Sequence, residues 1–182
     1  MPRLVFFALL SFALLLPACG GRQQPESRGF GDEPKWALNV PDGCGVGSVE
    51  YRGNRSLARN AANARARDDL ARQLETSIQG MLSDYVAQGE VDGRDFTEER
   101  IVQVSRQVVD TTLVGTVPVA TYVTRDSQQM YSLVCIQPDA LAEAIEGMQT
   151  LSERQRHLLH ERAEYEYRKL DQVITQLREE GQ

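Results

Sequence analysis

Histidine, tryptophan and cysteine are scarce in this chain of 182 residues, with two, one and three copies respectively. Basic residues are in deficit as well, 20 Lys and Arg against 26 Asp and Glu, for a formal net charge of −6. Each shortage removes a class of function. An acidic balance with no basic stripe lacks the electrostatic footprint of a nucleic-acid binder. The two histidines, His157 and His160, share one polar stretch with Glu161. Positions three apart lie on one helix face, but the order His-Leu-Leu-His-Glu does not put the carboxylate where a metalloprotease helix needs it. The pair therefore reads as a solvated face, with no metal site. No Gly-x-Ser-x-Gly elbow offers a hydrolase nucleophile. Gly45-x-Gly47 has neither the third glycine nor the Lys-Ser/Thr of a phosphate loop, and suggests close backbone approach instead. Asp68-Asp69 and Thr97-Glu98-Glu99 are explained by helix-surface and first-turn charge rather than as a hydrolytic pair. No catalytic residue and no cofactor is assigned, and the chain reads as a non-enzyme.

Long apolar runs are missing too, with one exception. Leu4 to Leu16 is almost wholly apolar, follows Arg3 and leads into Pro17-Ala18-Cys19. It is too short and too near the start for a stable membrane span, and residues 1–18 read as a secretory signal. The ending Leu16-Pro17-Ala18-Cys19 resembles a bacterial lipobox, although Pro17 is a less usual second residue. That resemblance implies a diacylglycerol on the Cys19 sulfur, cleavage between Ala18 and Cys19, and a further palmitate-type chain on the new N-terminus. The plainer alternative is an ordinary cleaved signal with Cys19 incidental. Each buried methylene is worth about 0.8 kcal/mol, so two or three chains would anchor the protein permanently. Gly20 follows where an Asp would retain an enterobacterial lipoprotein at the inner membrane. The expected location is thus the outer membrane, lipid-anchored, with the domain facing the periplasm or the cell surface.

Once Cys19 is lipidated, Cys44 and Cys135 remain. An oxidising compartment invites a disulfide between them, closing a loop of about 90 residues and contributing roughly 3–5 kcal/mol. Two buried free thiols, packing as small apolar groups, are the competing reading.

Residues 19–33 hold almost nothing apolar except Phe30 and read as a flexible tether. Pro34-Lys35-Trp36 opens the folded part, and Asn39-Val40-Pro41-Asp42-Gly43 is turn chemistry. Val46 to Tyr51 reads as a short strand. From Asn54 to about Gln88 runs the clearest helix, alanine-rich early and bulky later. Its apolar stripe is expected at Leu57, Ala61, Ala64, Ala71, Leu74, Ile78, Met81 and Tyr85, interrupted by Asp68 paired with Arg65 or Arg72. Asp95-Phe96-Thr97-Glu98 has capping-box form and predicts a helix to about Asp110, against a competing strand in a β-branched stretch. Leu113 to Thr124 and Met130 to Ile136 predict a hairpin, with Pro118 marking an edge strand or a bulge. Pro138 begins a short helix. Thr150 to Glu153 suggests another capping box, opening a long, charged helix with a narrow apolar seam, either folded back on the domain or paired with another chain.

The residues Pro34-Lys35-Trp36, Gly45-Val46-Gly47-Ser48, Ala62-x-x-x-Ala66-Arg67-x-x-Leu70-Ala71 and Tyr131-Ser132-Leu133-Val134 together resemble a family of small bacterial lipoproteins. This family is related to the Helicobacter surface-antigen lipoprotein and includes flagellar basal-disk and flagella-associated outer-membrane members. The resemblance implies an α+β fold, a small antiparallel sheet packed on a long Ala-rich helix, and no catalytic residues. It also implies a structural or assembly role in the envelope, in some members linked to motility.

The expected layout is a signal at 1–18, a tether at 19–33, an α+β domain at 34–149 and a charged C-terminal helix at 150–182. The expected partners are the membrane through the lipid, and envelope proteins or a second copy through the C-terminal helix; no nucleic acid is expected. The alternative is a cell-wall or small-ligand binding module, with a pocket lined by Trp36, Tyr51, Tyr85 and Tyr122.

Overall fold

A computed structural model of the protein describes residues 32–89, 97–125 and 128–180. The signal, Cys19 and most of the tether lie outside these residues. The element order is α1 (Lys35–Leu38), β1 (Cys44–Glu50), α2 (Arg55–Ala87), α3 (Glu98–Val114), β2 (Val117–Val123), β3 (Gln129–Cys135), α4 (Pro138–Glu146), α5 (Glu153–Tyr167) and α6 (Leu170–Glu180). The fold is α+β, as the sequence predicts: one antiparallel sheet of order β1-β3-β2, with α2 laid across it.

The contact between β1 and α2 sets this arrangement. Gly45 and Gly47 point at α2, and there is no room for a side chain on either. A Cβ on Gly45 would sit 2.3 Å from the Ala66 carbonyl oxygen and 2.5 Å from the Leu70 nitrogen. On Gly47 it would sit 2.2 Å from the Ala62 oxygen and 2.4 Å from the Ala66 nitrogen. Backbone therefore meets backbone, which demands glycine on the strand and alanine on the helix. The buried line along α2 is accordingly Ala58, Ala62, Ala66, Leu70, Leu74, Ile78, with Met81 and Leu82 beyond.

The second half of this line agrees with the sequence reading, and the first half departs from it. Leu57 is 65% exposed, and Ala64 and Asp68 are exposed too. Starting the stripe on the largest apolar side chain turned the predicted face away from the true one, which small residues occupy because the strand lies so close. The acidic residue with a structural role is Asp69, not Asp68. Its carboxylate accepts from the Val46 backbone N–H at 3.2 Å and from Gln73 at 2.8 Å, and Arg72 pairs with it at 3.2 Å. Arg65 donates to the Ser48 carbonyl at 2.6 Å. These two side chains cover the outer rim of β1, so its unpaired backbone groups are not left open.

The caps explain the helix ends. The Asn54 side chain accepts from the Leu57 N–H, and Gly89 with φ +73 follows the last turn of α2, as a left-handed C-terminal residue should. Thr97 caps α3; the expected Asp95 lies outside the described residues. α3 is a helix, not a strand, and runs past Asp110 to Val114. The β-branched Thr111 and Thr112 turn their hydroxyls back onto the Gln107 and Val108 carbonyls, which keeps them helical. β2 then starts at Val117 rather than at Leu113. Pro118 sits on an edge strand next to a register shift between Pro118 and Ala120, so both expected features occur there. In α5 the capping box is Ser152 with Gln155, two residues later than the sequence suggests.

The C-terminal helix bends at Arg168 and Lys169 into α5 and α6. Leu151, Leu159, Ala163, Tyr167, Leu170 and Ile174 join the same core as α2, α3 and β3. Of the two arrangements open to this seam, the tail folds back on the domain, and its residues from Leu151 to Ile174 supply part of the same core.

Two glycines of equal composition should respond oppositely to alanine. Gly47→Ala should lose about 2–3 kcal/mol of stability by overpacking. Gly80→Ala, in the middle of α2 with nothing within 4 Å of the new Cβ, should gain up to about 1 kcal/mol. Urea midpoints of the two variants against the parent decide it, and equal shifts would overturn the close-approach account.

Candidate functional site

Cys44 and Cys135 stand directly opposite each other in the β1–β3 register, with Cα atoms 4.0 Å apart and sulfurs bonded at 2.02 Å. Both are fully buried. Of the two readings open in the sequence, the structure has the disulfide. It ties the first residue of β1 to the last of β3 across 91 residues and leaves no reactive thiol at this site. Replacing both by alanine should cost about 4 kcal/mol by chain entropy. Denaturation of the double variant against the oxidised parent measures it, and a loss under about 1 kcal/mol would show that native packing alone holds the two strands.

The opposite face of the sheet carries the point where the tether arrives. Side chains alternate along a strand, so residues facing away from α2 include Ser48, Tyr131 and Tyr122. Tyr122 donates its hydroxyl to Asp32 at 2.7 Å, and the Arg125 backbone N–H donates to the other oxygen of the same carboxylate at 3.0 Å. Tyr131 donates to Glu33. Trp36 and Val40 then pack on the core, and α1 lies against β3. Asp32 and Glu33, the last residues of the expected tether, are thus clasped to the hairpin.

Electrostatics follow the clasp. The backbone N–H of Arg125, and then the Tyr122 hydroxyl, hold the Asp32 carboxyl below its ordinary range. Burial, and next the Glu33 carboxylate, push the Tyr131 phenol up to about 12. A tyrosine raised on folding contributes stability below its unfolded value near 10, and that contribution disappears as pH climbs through about 12. A carboxylate lowered on folding does the reverse: Asp32 contributes above its ordinary value of 3.8 and loses this as pH falls. Phenolate absorbance should place one tyrosine near pH 12, and Glu33→Gln should lower that midpoint while leaving it above 10. An unchanged midpoint in the variant would refute the clasp at Glu33.

Of the concave surfaces among the described residues, two bear on the expected contacts. A groove of about 860 Å³ opens where α5 turns into α6, between the Asp42-Gly43 turn and the Gln73 and Ser77 side of α2. Its rim carries Tyr165, 65% exposed, with the Arg162 and Arg168 guanidiniums 5.9 and 5.4 Å from its ring centroid. A recess of about 500 Å³ lies at the far end of the sheet between Arg55 and Arg59 of α2 and Thr121, Tyr122 and Val123 of β2.

The four aromatics suggested for a ligand pocket do not converge. Tyr85 donates to the Leu158 carbonyl at 2.7 Å, joining α2 to α5. Tyr51 packs on Val49, Ala58 and Met130, and Trp36 packs on the main core. Only Tyr122 borders one of the two concave surfaces. His157 approaches Glu161 at 3.6 Å and His160 approaches Glu146 at 3.9 Å, each separately. Among the described residues no group of three or more His, Cys, Asp or Glu could hold a metal ion, and no helix is long and apolar enough to cross a membrane.

Sequence reasoning missed the Asp32–Glu33 clasp, which joins residues some 90 positions apart without any local signal. The arginine pair did have one. α2 has no acidic residue in its first turn, whereas α3, α4, α5 and α6 all do. Arg55, Arg59, Arg65 and Arg67 precede its first acid, Asp68.

What these features define is a small disulfide-tied α+β domain whose N-terminal lead is fixed to its own sheet. No family model matches the chain, and no curated protein matches it.

Proposed function

We propose that the protein is a lipid-anchored envelope lipoprotein that acts as a structural or assembly factor through protein–protein contacts. Cys19 carries the lipid, and the domain stands at the outer membrane. The observation that carries this reading is the clasp: the segment arriving from Cys19 is bonded to the hairpin at Asp32 and Glu33, so the point at which the tether leaves the domain is fixed. A fixed exit point keeps the rest of the surface clear for a partner. The family resemblance points the same way, toward envelope assembly and, in some members, motility. The apolar seam of the C-terminal helix is spent inside the monomer, so association through the tail, with another protein or a second copy, would use its outer side.

That side carries the groove at the α5–α6 bend. Tyrosine and arginine are the residue types that dominate binding hot spots, and here Arg162 and Arg168 flank an exposed Tyr165. The second reading, a cell-wall or small-ligand module, is favoured by the polar lining of the same groove, with Asp42, Gln73, Ser77 and Lys169 facing it.

Acyl labelling with an alkyne fatty acid should mark the parent and not Cys19→Ser. A photocrosslinking amino acid at position 165 in intact cells should give a discrete protein adduct, of twice the chain mass if the partner is a second copy, and Arg168→Glu should weaken it at least tenfold. Cosedimentation with purified peptidoglycan in place of a protein adduct would decide for the second reading, and the lack of both would overturn the groove as a contact surface.

A further inference from the structure

We infer that the end of the domain bearing Arg55 and Arg59 is a basic platform that rests on the anionic head groups of a phospholipid surface. The inference rests on the lipid-anchored reading for the presence of a membrane, and on the structure for which end of the domain meets it.

Four observations converge on that end. First, the tether leaves from the same end of the sheet, though on the face opposite α2. Tyr122 gives its hydroxyl to Asp32 on that face, and its strand borders the recess that holds Arg55 and Arg59. Second, the chain between Cys19 and Asp32 is short. Its 13 steps span about 45 Å if fully extended and about 20 Å as a coil, so the domain stays close to the leaflet. Third, the recess itself is lined by two arginines and no acid. Arg55 and Arg59 are exposed and have no side-chain hydrogen bond or ion pair among the described residues, in a protein of net charge −6. The other arginines of the same stretch have structural partners: Arg52 with Glu50, Arg65 with the Ser48 carbonyl, Arg67 with the Thr116 hydroxyl. Fourth, the pair is not there for the helix. Positive charge near a helix N-terminus opposes the macrodipole, so these two arginines cost α2 some stability.

Charge complementarity selects the occupant. Guanidinium groups bind phosphate oxygens in pairs, and a phosphodiester head group presents such oxygens in a plane. Electrostatic attraction to a leaflet decays within about 8 Å at physiological salt, so the platform acts only in contact, and the tether keeps it within that range. Each arginine near an anionic surface strengthens attachment roughly fivefold, so the pair contributes about 25-fold.

The single tryptophan provides the readout. The full-length lipidated protein is reconstituted into vesicles of pure phosphatidylcholine, or of phosphatidylcholine with 30% phosphatidylglycerol, each carrying a dansyl head-group acceptor. Energy transfer from Trp36 should be higher with phosphatidylglycerol and should fall to the neutral-vesicle level in 0.5 M salt. Arg55→Gln/Arg59→Gln should abolish the difference, and its thermal midpoint should be equal to or above that of the parent, which separates lost binding from lost folding. Transfer that ignores phosphatidylglycerol, or that survives in the variant, overturns the platform; the arginines would then belong to an acidic protein surface. Cys19→Ser keeps the two readings distinguishable. If the parent chain proves unlipidated but this soluble variant still cosediments with phosphatidylglycerol vesicles through Arg55 and Arg59, the platform stands and the anchor falls. If the parent is lipidated but shows no lipid preference, the anchor stands and the platform falls.

Discussion

Backbone lies on backbone where β1 crosses α2, and the rest of the domain is arranged around that contact. With Gly45 and Gly47 facing Ala62 and Ala66, the strand and helix approach more closely than any pair of side chains would allow. The closeness brings Asp69 and Arg65 within reach of the outer rim of β1, where they satisfy the Val46 N–H and the Ser48 carbonyl. It also shifts the deep core toward the second half of α2. There Leu70, Leu74 and Ile78 meet α3, the end of β3 and the returning tail. Small residues at one end of a helix and large ones at the other tilt the helix on the sheet, and α3 to α6 fill the wedge that opens.

The two covalent and polar ties to the N-terminal part act at opposite ends of the sheet. The disulfide fastens the start of β1 to the end of β3 inside the core. The Asp32–Tyr122 and Glu33–Tyr131 contacts fasten the incoming chain to the hairpin face. Between them, Trp36 and Val40 cover what would otherwise be a bare apolar surface. The incoming chain is therefore held to the domain up to Asp32, and the arginine recess and the α5–α6 groove lie at different places with different chemistry. One is lined by Arg55 and Arg59 at the tether's end of the sheet. The other is rimmed by Tyr165 and sits at the α5–α6 bend.

Much of this was legible where the signal is local. Asn54 announces a helix start, because a short polar side chain before an apolar periodic run caps free N–H groups. The α2 boundaries and the return strand of the hairpin follow from periodicity and turn residues, and Gly45 with Gly47 pointed to close approach. The misreadings came where local cues conflict with packing. Leu57 looked like core because it is large, yet only alanine fits beneath β1. The helix expected to end near Asp110 runs on to Val114, because the Thr111 and Thr112 hydroxyls bond back into it. Asp68 and Asp69 are equivalent in sequence, and a rotation of 100° about the helix axis decides which one meets β1.

By itself the sequence determined most element types, the Asn54 cap, the α+β class, and the pattern of an apolar leader ending in Ala18-Cys19, since each depends on neighbours within a few positions. Tertiary structure alone decided three things. It bonded Cys44 to Cys135, because a disulfide needs two backbones to come within a few ångströms across 91 residues. It turned the seam of the C-terminal helix inward, because whether an amphipathic face meets its own domain or another chain depends on where the core is left open. It also brought Asp32 to Tyr122 and set Arg55 and Arg59 against the other side of the same strand, a grouping created by strand order and helix direction, which no linear spacing encodes.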